Sequence, residues 1–159
     1  MSSVVSRRSG AMSTMSKAMK ELVGEQEAIR VYMEKLMKSA ESLAAQPGSA
    51  KERLANYRYA LYDFKDAMTY HLEVDDKVFR SLFGDSYDED PIEERREIQR
   101  LVNDLISMAD SPVIEKLGNE ALGQYCAGLE KAFKKICRLI ELHIARENAI
   151  LERVQEALN

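Results

Sequence analysis

The 159-residue chain has no Trp, only three Pro and only seven Gly. Because Pro and Gly interrupt helices and shape the turns between strands, their scarcity argues against a many-stranded β fold and favours long helices. No apolar run approaches the roughly 18 residues that a membrane-spanning helix requires, so we expect no contact with a membrane. The formal net charge is -4, which gives no electrostatic reason to expect a nucleic-acid partner.

Cysteine is scarce as well. Cys126 and Cys137 fall in one predicted helix, where eleven residues separate them by about 16 Å. That distance is too long for a disulfide within the chain. We therefore expect two reduced thiols and a cytoplasmic protein.

The chain is rich in apolar residues at alternating spacings of three and four, the pattern of an amphipathic helix. This pattern runs through four segments, which are separated by Gln46-Pro47-Gly48-Ser49, by Gly84 with the acidic loop after it, and by Asp110-Ser111-Pro112. Helices joined by mostly short loops predict an all-α fold, an up-and-down antiparallel four-helix bundle. We expect the bundle to occupy residues 15–159, after a flexible Ser-rich leader at residues 1–14.

Polar residues interrupt three of the four apolar stripes. Gln26 lies on the first, His71 and Asp75 on the second, and His143 and Glu147 on the fourth. The stripe of the third helix, extrapolated back from its first apolar residues, reaches either Glu94 or Arg95 near the helix start. We therefore expect the polar positions to form one layer of the bundle, with Glu94 and Arg95 as alternatives for the third helix.

The chain contains only two histidines, and each is followed four residues later by a carboxylate. A spacing of four puts both side chains on one helix face, and imidazole with carboxylate is suitable ligand chemistry for iron, manganese or zinc. Two buried carboxylates without a cation would be costly. Each residue also has a purely structural interpretation, because a core histidine is usually satisfied by a hydrogen bond. The coincidence of two such pairs nevertheless favours a metal site made by His71, Asp75, His143 and Glu147.

Both pairs resemble the repeated His-x-x-x-Glu signature of the hemerythrin-like, HHE cation-binding domains. The stretches are His71-Leu-Glu-Val-Asp75 and His143-Ile-Ala-Arg-Glu147. In that family one motif lies on helix two and the other on helix four. The resemblance extends over nearly the whole chain from about Met15 onward, and it implies a bundle that holds a non-haem di-iron centre.

Two family positions differ in this chain. Glu25-Gln26 and Glu94-Arg95 each precede an Ile by three residues and resemble the motifs of helices one and three, where the family has Glu-His. Gln26 and Arg95 therefore replace two of the usual histidine ligands. The resemblance implies a reduced site, with one ion or a weak pair, and with Gln26 or Glu94 completing the ligands.

These patterns leave two hypotheses. The first is a hemerythrin-like protein that binds iron, or else manganese or zinc, in a sensing, storage or carrier role rather than as an enzyme. The second is a metal-free bundle that acts as a protein-interaction module, with the guanidinium of Arg95 among Asp75 and Glu147 in place of a metal. A homodimer is compatible with either hypothesis, and the sequence identifies no protein partner.

Overall fold

A computed structural model describes residues 2–45, 50–84 and 90–158, with side chains for residues 17–43, 51–84 and 92–157. These residues form four α-helices: α1 (Ser2–Ala45), α2 (Ala50–Phe83), α3 (Asp90–Ala109) and α4 (Asn119–Leu158). A short 3₁₀ helix, Pro112–Lys116, lies between α3 and α4. No strand occurs in this part of the chain, so the predicted all-α class is confirmed. None of the helices described contains an apolar stretch of membrane-spanning length.

The helices end where the sequence signals predict. Gly84 follows α2 with a φ of 57°, a left-handed conformation that glycine adopts without steric cost. The turn at 46–49 and the acidic loop at 85–89 lie outside the described residues.

The backbone of residues 2–14, the predicted flexible leader, is part of α1. The side chains before Lys17 are outside the described residues, so the domain boundary at residue 15 stays a prediction.

The 3₁₀ helix makes the bend between α3 and α4. The hydroxyl of Ser111 accepts a hydrogen bond from the backbone N–H of Val113, and Pro112 occupies the first turn, where its missing N–H costs nothing. Ile114 is buried and anchors the connection to the main core. The bend thus fixes where α4 starts relative to α3.

The helices pack α1 against α2 and α4, and α3 against α2 and α4. The main core lies along the predicted apolar stripes, and its centre includes an edge-to-face pair of Phe64 and Phe133 with ring centroids 5.4 Å apart. A second, smaller cluster is formed by Leu22, Phe79 and Leu151. On α1, α2 and α4, the polar interruptions of the sequence fall between the residues of these two clusters. The polar layer is therefore closed by apolar packing on both sides.

Candidate metal centre

Two helices supply the four predicted ligands. His71 and Asp75 lie one turn apart on α2, and His143 and Glu147 lie one turn apart on α4. Their neighbours on the same stripes are core residues, which turns these faces inward. As a result the four side chains are 0–2% exposed. The sequence prediction that they lie in the core is confirmed.

The structure brings the four side chains together. His143 Nε2 lies 2.8 Å from Asp75 Oδ2 and 2.9 Å from Glu147 Oε1. His71 Nε2 lies 3.6 Å from the same Asp75 oxygen and 3.7 Å from the same Glu147 oxygen. Two imidazole nitrogens and two carboxylate oxygens thus alternate around a ring.

The dimensions of this ring fit one small cation. Metal–ligand bonds of about 2.0–2.1 Å place neighbouring ligands of a tetrahedral ion about 3.3 Å apart. The ring edges of 2.8–3.7 Å fall on both sides of that spacing. One donor atom from each of the four residues lies within 4.8 Å of the other three. Movements of a fraction of an ångström would suffice to surround an ion.

Several polar atoms of the cluster have no hydrogen-bond partner among the described residues. They include both ring nitrogens of His71, Oδ1 of Asp75 and both carboxylate oxygens of Glu147. Nε2 of His143 carries at most one hydrogen, which is directed at Asp75. A buried polar group left unsatisfied costs about 1–3 kcal/mol, so the cluster is incompletely satisfied by its own side chains.

His143 differs from His71 because both of its ring nitrogens have partners. Nδ1 lies 2.8 Å from Glu94 Oε1 and Nε2 lies 2.8 Å from Asp75 Oδ2. Burial alone would lower the pKa of His143, but the contacts with Asp75 and Glu147 outweigh it and raise the pKa to about 10. Without metal, His143 is therefore an imidazolium between carboxylates at neutral pH.

The pKa values of the two carboxylates in the cluster shift in opposite directions. Burial raises the pKa of Asp75, and its contact with Glu147 adds to the rise. Burial would also raise the pKa of Glu147, but the imidazoles of His143 and His71 lower it overall. Without metal, Glu147 is thus the more strongly ionised of the two.

Glu94 and Arg95 were the two candidates on α3 for the polar layer, and they have different partners in the structure. Glu94 accepts a hydrogen bond from His143 and forms an ion pair with Arg146 through its other oxygen. Arg95 is buried as well, but the hydrogen bond described for it runs to Asp76 Oδ1, at 3.5 Å. The metal-free hypothesis had placed this guanidinium beside Asp75 and Glu147.

Gln26 is also buried in the layer. Its amide donates to Asn148 Oδ1 at 3.1 Å, next to Glu147 in the sequence. Arg146 and Asn148 were not singled out from the sequence. The sequence signal that could have identified them is their spacing, since Arg146 follows His143 by three residues and Asn148 follows Glu147 directly.

Comparisons with protein-family models, curated proteins and solved structures find no match to this chain. The resemblance to hemerythrin-like domains therefore rests on the His-x-x-x-carboxylate motifs and their neighbours. Chemically, the site offers two imidazole nitrogens and two carboxylate oxygens, all from buried side chains. Such a set suits Fe²⁺, Mn²⁺ or Zn²⁺ better than the oxygen-seeking Mg²⁺ and Ca²⁺.

Proposed function

We propose that this chain is a hemerythrin-like metal-binding protein that holds one divalent ion between α2 and α4. The ligands are His71, Asp75, His143 and Glu147, and the role is a sensing, storage or carrier one. The observation that carries the proposal is the imidazole of His71, which is 0% exposed and has neither ring nitrogen hydrogen-bonded within the described residues.

The state of His71 separates the proposal from a purely structural polar layer. Buried polar groups in folded proteins nearly always have a partner, and a layer retained for stability would supply one for each histidine. Here both ring nitrogens of His143 have partners at 2.8 Å, whereas His71 has no hydrogen bond and only the carboxylate oxygens of Asp75 and Glu147 at 3.6 and 3.7 Å. A cation at the centre of the ring would accept the lone pair of His71 Nε2 and would balance the negative charge of both carboxylates.

One ion is favoured over two. A dinuclear centre needs further ligands from α1 and α3, and those positions hold Gln26 and Arg95. The amide of Gln26 donates to Asn148, and a guanidinium has no lone pair to offer a metal. Four protein donors complete the coordination of a tetrahedral ion such as Zn²⁺, and an ion so surrounded would be held rather than used in catalysis.

The fold that supports the site is proposed to be an up-and-down antiparallel bundle. Cross-helix contacts support it, because in each pair of helices the residue number rises on one helix as it falls on the other. Four residues join α1 to α2, which favours antiparallel packing there too. The contacts are Gln26–Asn148 and Arg30–Glu141 for α1 and α4, Arg58–Ala109 and Asp76–Arg95 for α2 and α3, and Met108–Tyr125 and Glu94–His143 for α3 and α4.

Elemental analysis of the purified protein tests the proposal. We expect near-stoichiometric iron, manganese or zinc, or uptake of one Fe²⁺ after anaerobic reconstitution. The ion should be lost in the His71→Ala, His143→Ala double variant. Glu73→Ala is the matched control, because this exposed carboxylate lies on α2 between His71 and Asp75. A wild-type chain that takes up no Fe²⁺, Mn²⁺ or Zn²⁺ would refute metal binding.

The alternative is a metal-free bundle that acts through its surface. One observation favours it: the ion pairs of His143 with Asp75, Glu147 and Glu94 already place a positive charge among the carboxylates. This alternative predicts no bound metal and tight dependence of folding on His143.

A further inference from the structure

We propose that Glu94 is a positioning residue, which fixes the ring of His143 so that Nε2 points at the ion. This inference rests on the proposed metal site and adds to it an outer contact on α3. It makes α3 a third helix that acts on a site whose ligands come from α2 and α4.

The geometry places Glu94 behind His143. Its Oε1 lies 2.8 Å from His143 Nδ1, on the side of the ring away from the carboxylates of the cluster. An acceptor at that point holds the hydrogen on Nδ1 and leaves the lone pair of Nε2 for the metal. Histidine ligands of metals generally donate their second N–H to a carboxylate or carbonyl in this way.

The two histidines differ in this respect. Nδ1 of His71 has no hydrogen-bond partner among the described residues, so no outer contact of this kind orients the ring of His71. Glu94 is mostly buried, with 13% of its side chain exposed, and its contact with His143 is thus shielded from water. Loss of Glu94 should therefore affect one ligand specifically rather than the whole site.

Arg146 extends this contact to the surface. Its side chain is 61% exposed and forms an ion pair with the second oxygen of Glu94. Arg146 therefore orients the carboxylate of Glu94, which in turn orients the ring of His143. Because the pair faces solvent on one side, its effect should be smaller than that of Glu94 itself.

The test is the dissociation constant for Zn²⁺, measured by competition with a chromophoric chelator. Glu94→Ala should weaken binding by about 10- to 100-fold, and Arg146→Gln by about two- to fivefold. Glu94→Gln retains an acceptor for the Nδ1 hydrogen and should restore most of the affinity. Glu93→Ala, an exposed neighbour of the same residue type, should bind Zn²⁺ as the wild type does.

Two spectroscopic readouts separate positioning from a general loss of structure. Nitrogen-15 NMR of the zinc form should show His143 with its hydrogen on Nδ1, and the resonance should shift in Glu94→Gln. The Co²⁺ absorption of Glu94→Gln should retain the wild-type coordination number. If Glu94→Ala folds by circular dichroism and binds Zn²⁺ within twofold of the wild type, the positioning role is wrong and the metal site stands. If the wild type binds neither Zn²⁺ nor Co²⁺, both proposals are wrong.

Discussion

Replacing His71 or His143 with leucine should have opposite effects on the metal-free protein. His71 has no hydrogen bond to lose within the described residues, and leucine fills a similar volume without adding a buried polar atom. Removing a buried unsatisfied group relieves about 1–3 kcal/mol. We therefore expect His71→Leu to leave the free energy of unfolding unchanged or to raise it by about 1–2 kcal/mol.

His143→Leu removes the imidazolium that three carboxylates contact. Breaking a buried ion pair by deleting one partner costs about 3–5 kcal/mol. In a domain of this size each kcal/mol shifts Tm by about 2–4 °C. The expected fall for His143→Leu is thus about 6–20 °C, against no change or a rise of about 2–8 °C for His71→Leu.

The assay is thermal unfolding followed by circular dichroism, first with a chelator and then with excess Zn²⁺. An ion at 100 times its dissociation constant stabilises the folded state by about 2.7 kcal/mol. The wild type should gain this increment, and both leucine variants should lose it. If His71→Leu destabilises the metal-free protein as much as His143→Leu does, His71 has a partner after all, and the main support for a metal site is gone.

Four further predictions concern the same layer. The pKa of His143 is raised from 6.5 to about 10, so its stabilising charge is complete below about pH 6.5 and is lost as the pH rises through about 10. Urea unfolding of the metal-free protein should therefore show falling stability between those values. Because His143 must lose that proton to bind a metal, Zn²⁺ uptake should release protons at neutral pH, which calorimetry in buffers of different ionisation enthalpy measures. Titration should saturate at one ion per chain, and saturation at two would contradict the mononuclear site. Arg95→Ala removes a partner of Asp76 and should cost about 1–3 kcal/mol of stability, yet it should leave the Zn²⁺ affinity near that of the wild type, because a guanidinium has no lone pair to offer a metal.

The sequence predicts the helical class and the burial of the polar layer for a simple reason. Helical periodicity is local, so the spacing of four between His71 and Asp75 determines that they share a face. The same argument holds for His143 and Glu147. Their position on apolar stripes then predicts that both faces turn inward.

Contacts between helices could not be predicted in the same way. The pairing of Glu94 with His143 depends on the register of α3 against α4, and the 3₁₀ helix Pro112–Lys116 sets that register. Near the start of α3, either Glu94 or Arg95 could have faced the site. In the structure both are largely buried but have different partners. The difference between the two histidines follows from these contacts, so spacing alone could not reveal it.

The placement of the ligands has a consequence for motion. His71 and Asp75 belong to the first half of the chain and His143 and Glu147 to the second, and residues 85–89 connect the two halves. An ion bound by all four residues would cross-link α2 and α4 within the layer. Separating the halves would then require breaking metal–ligand bonds as well as apolar contacts. Loading the site with Zn²⁺ should therefore slow hydrogen exchange in the amides of both halves together, far beyond the turns that carry the ligands.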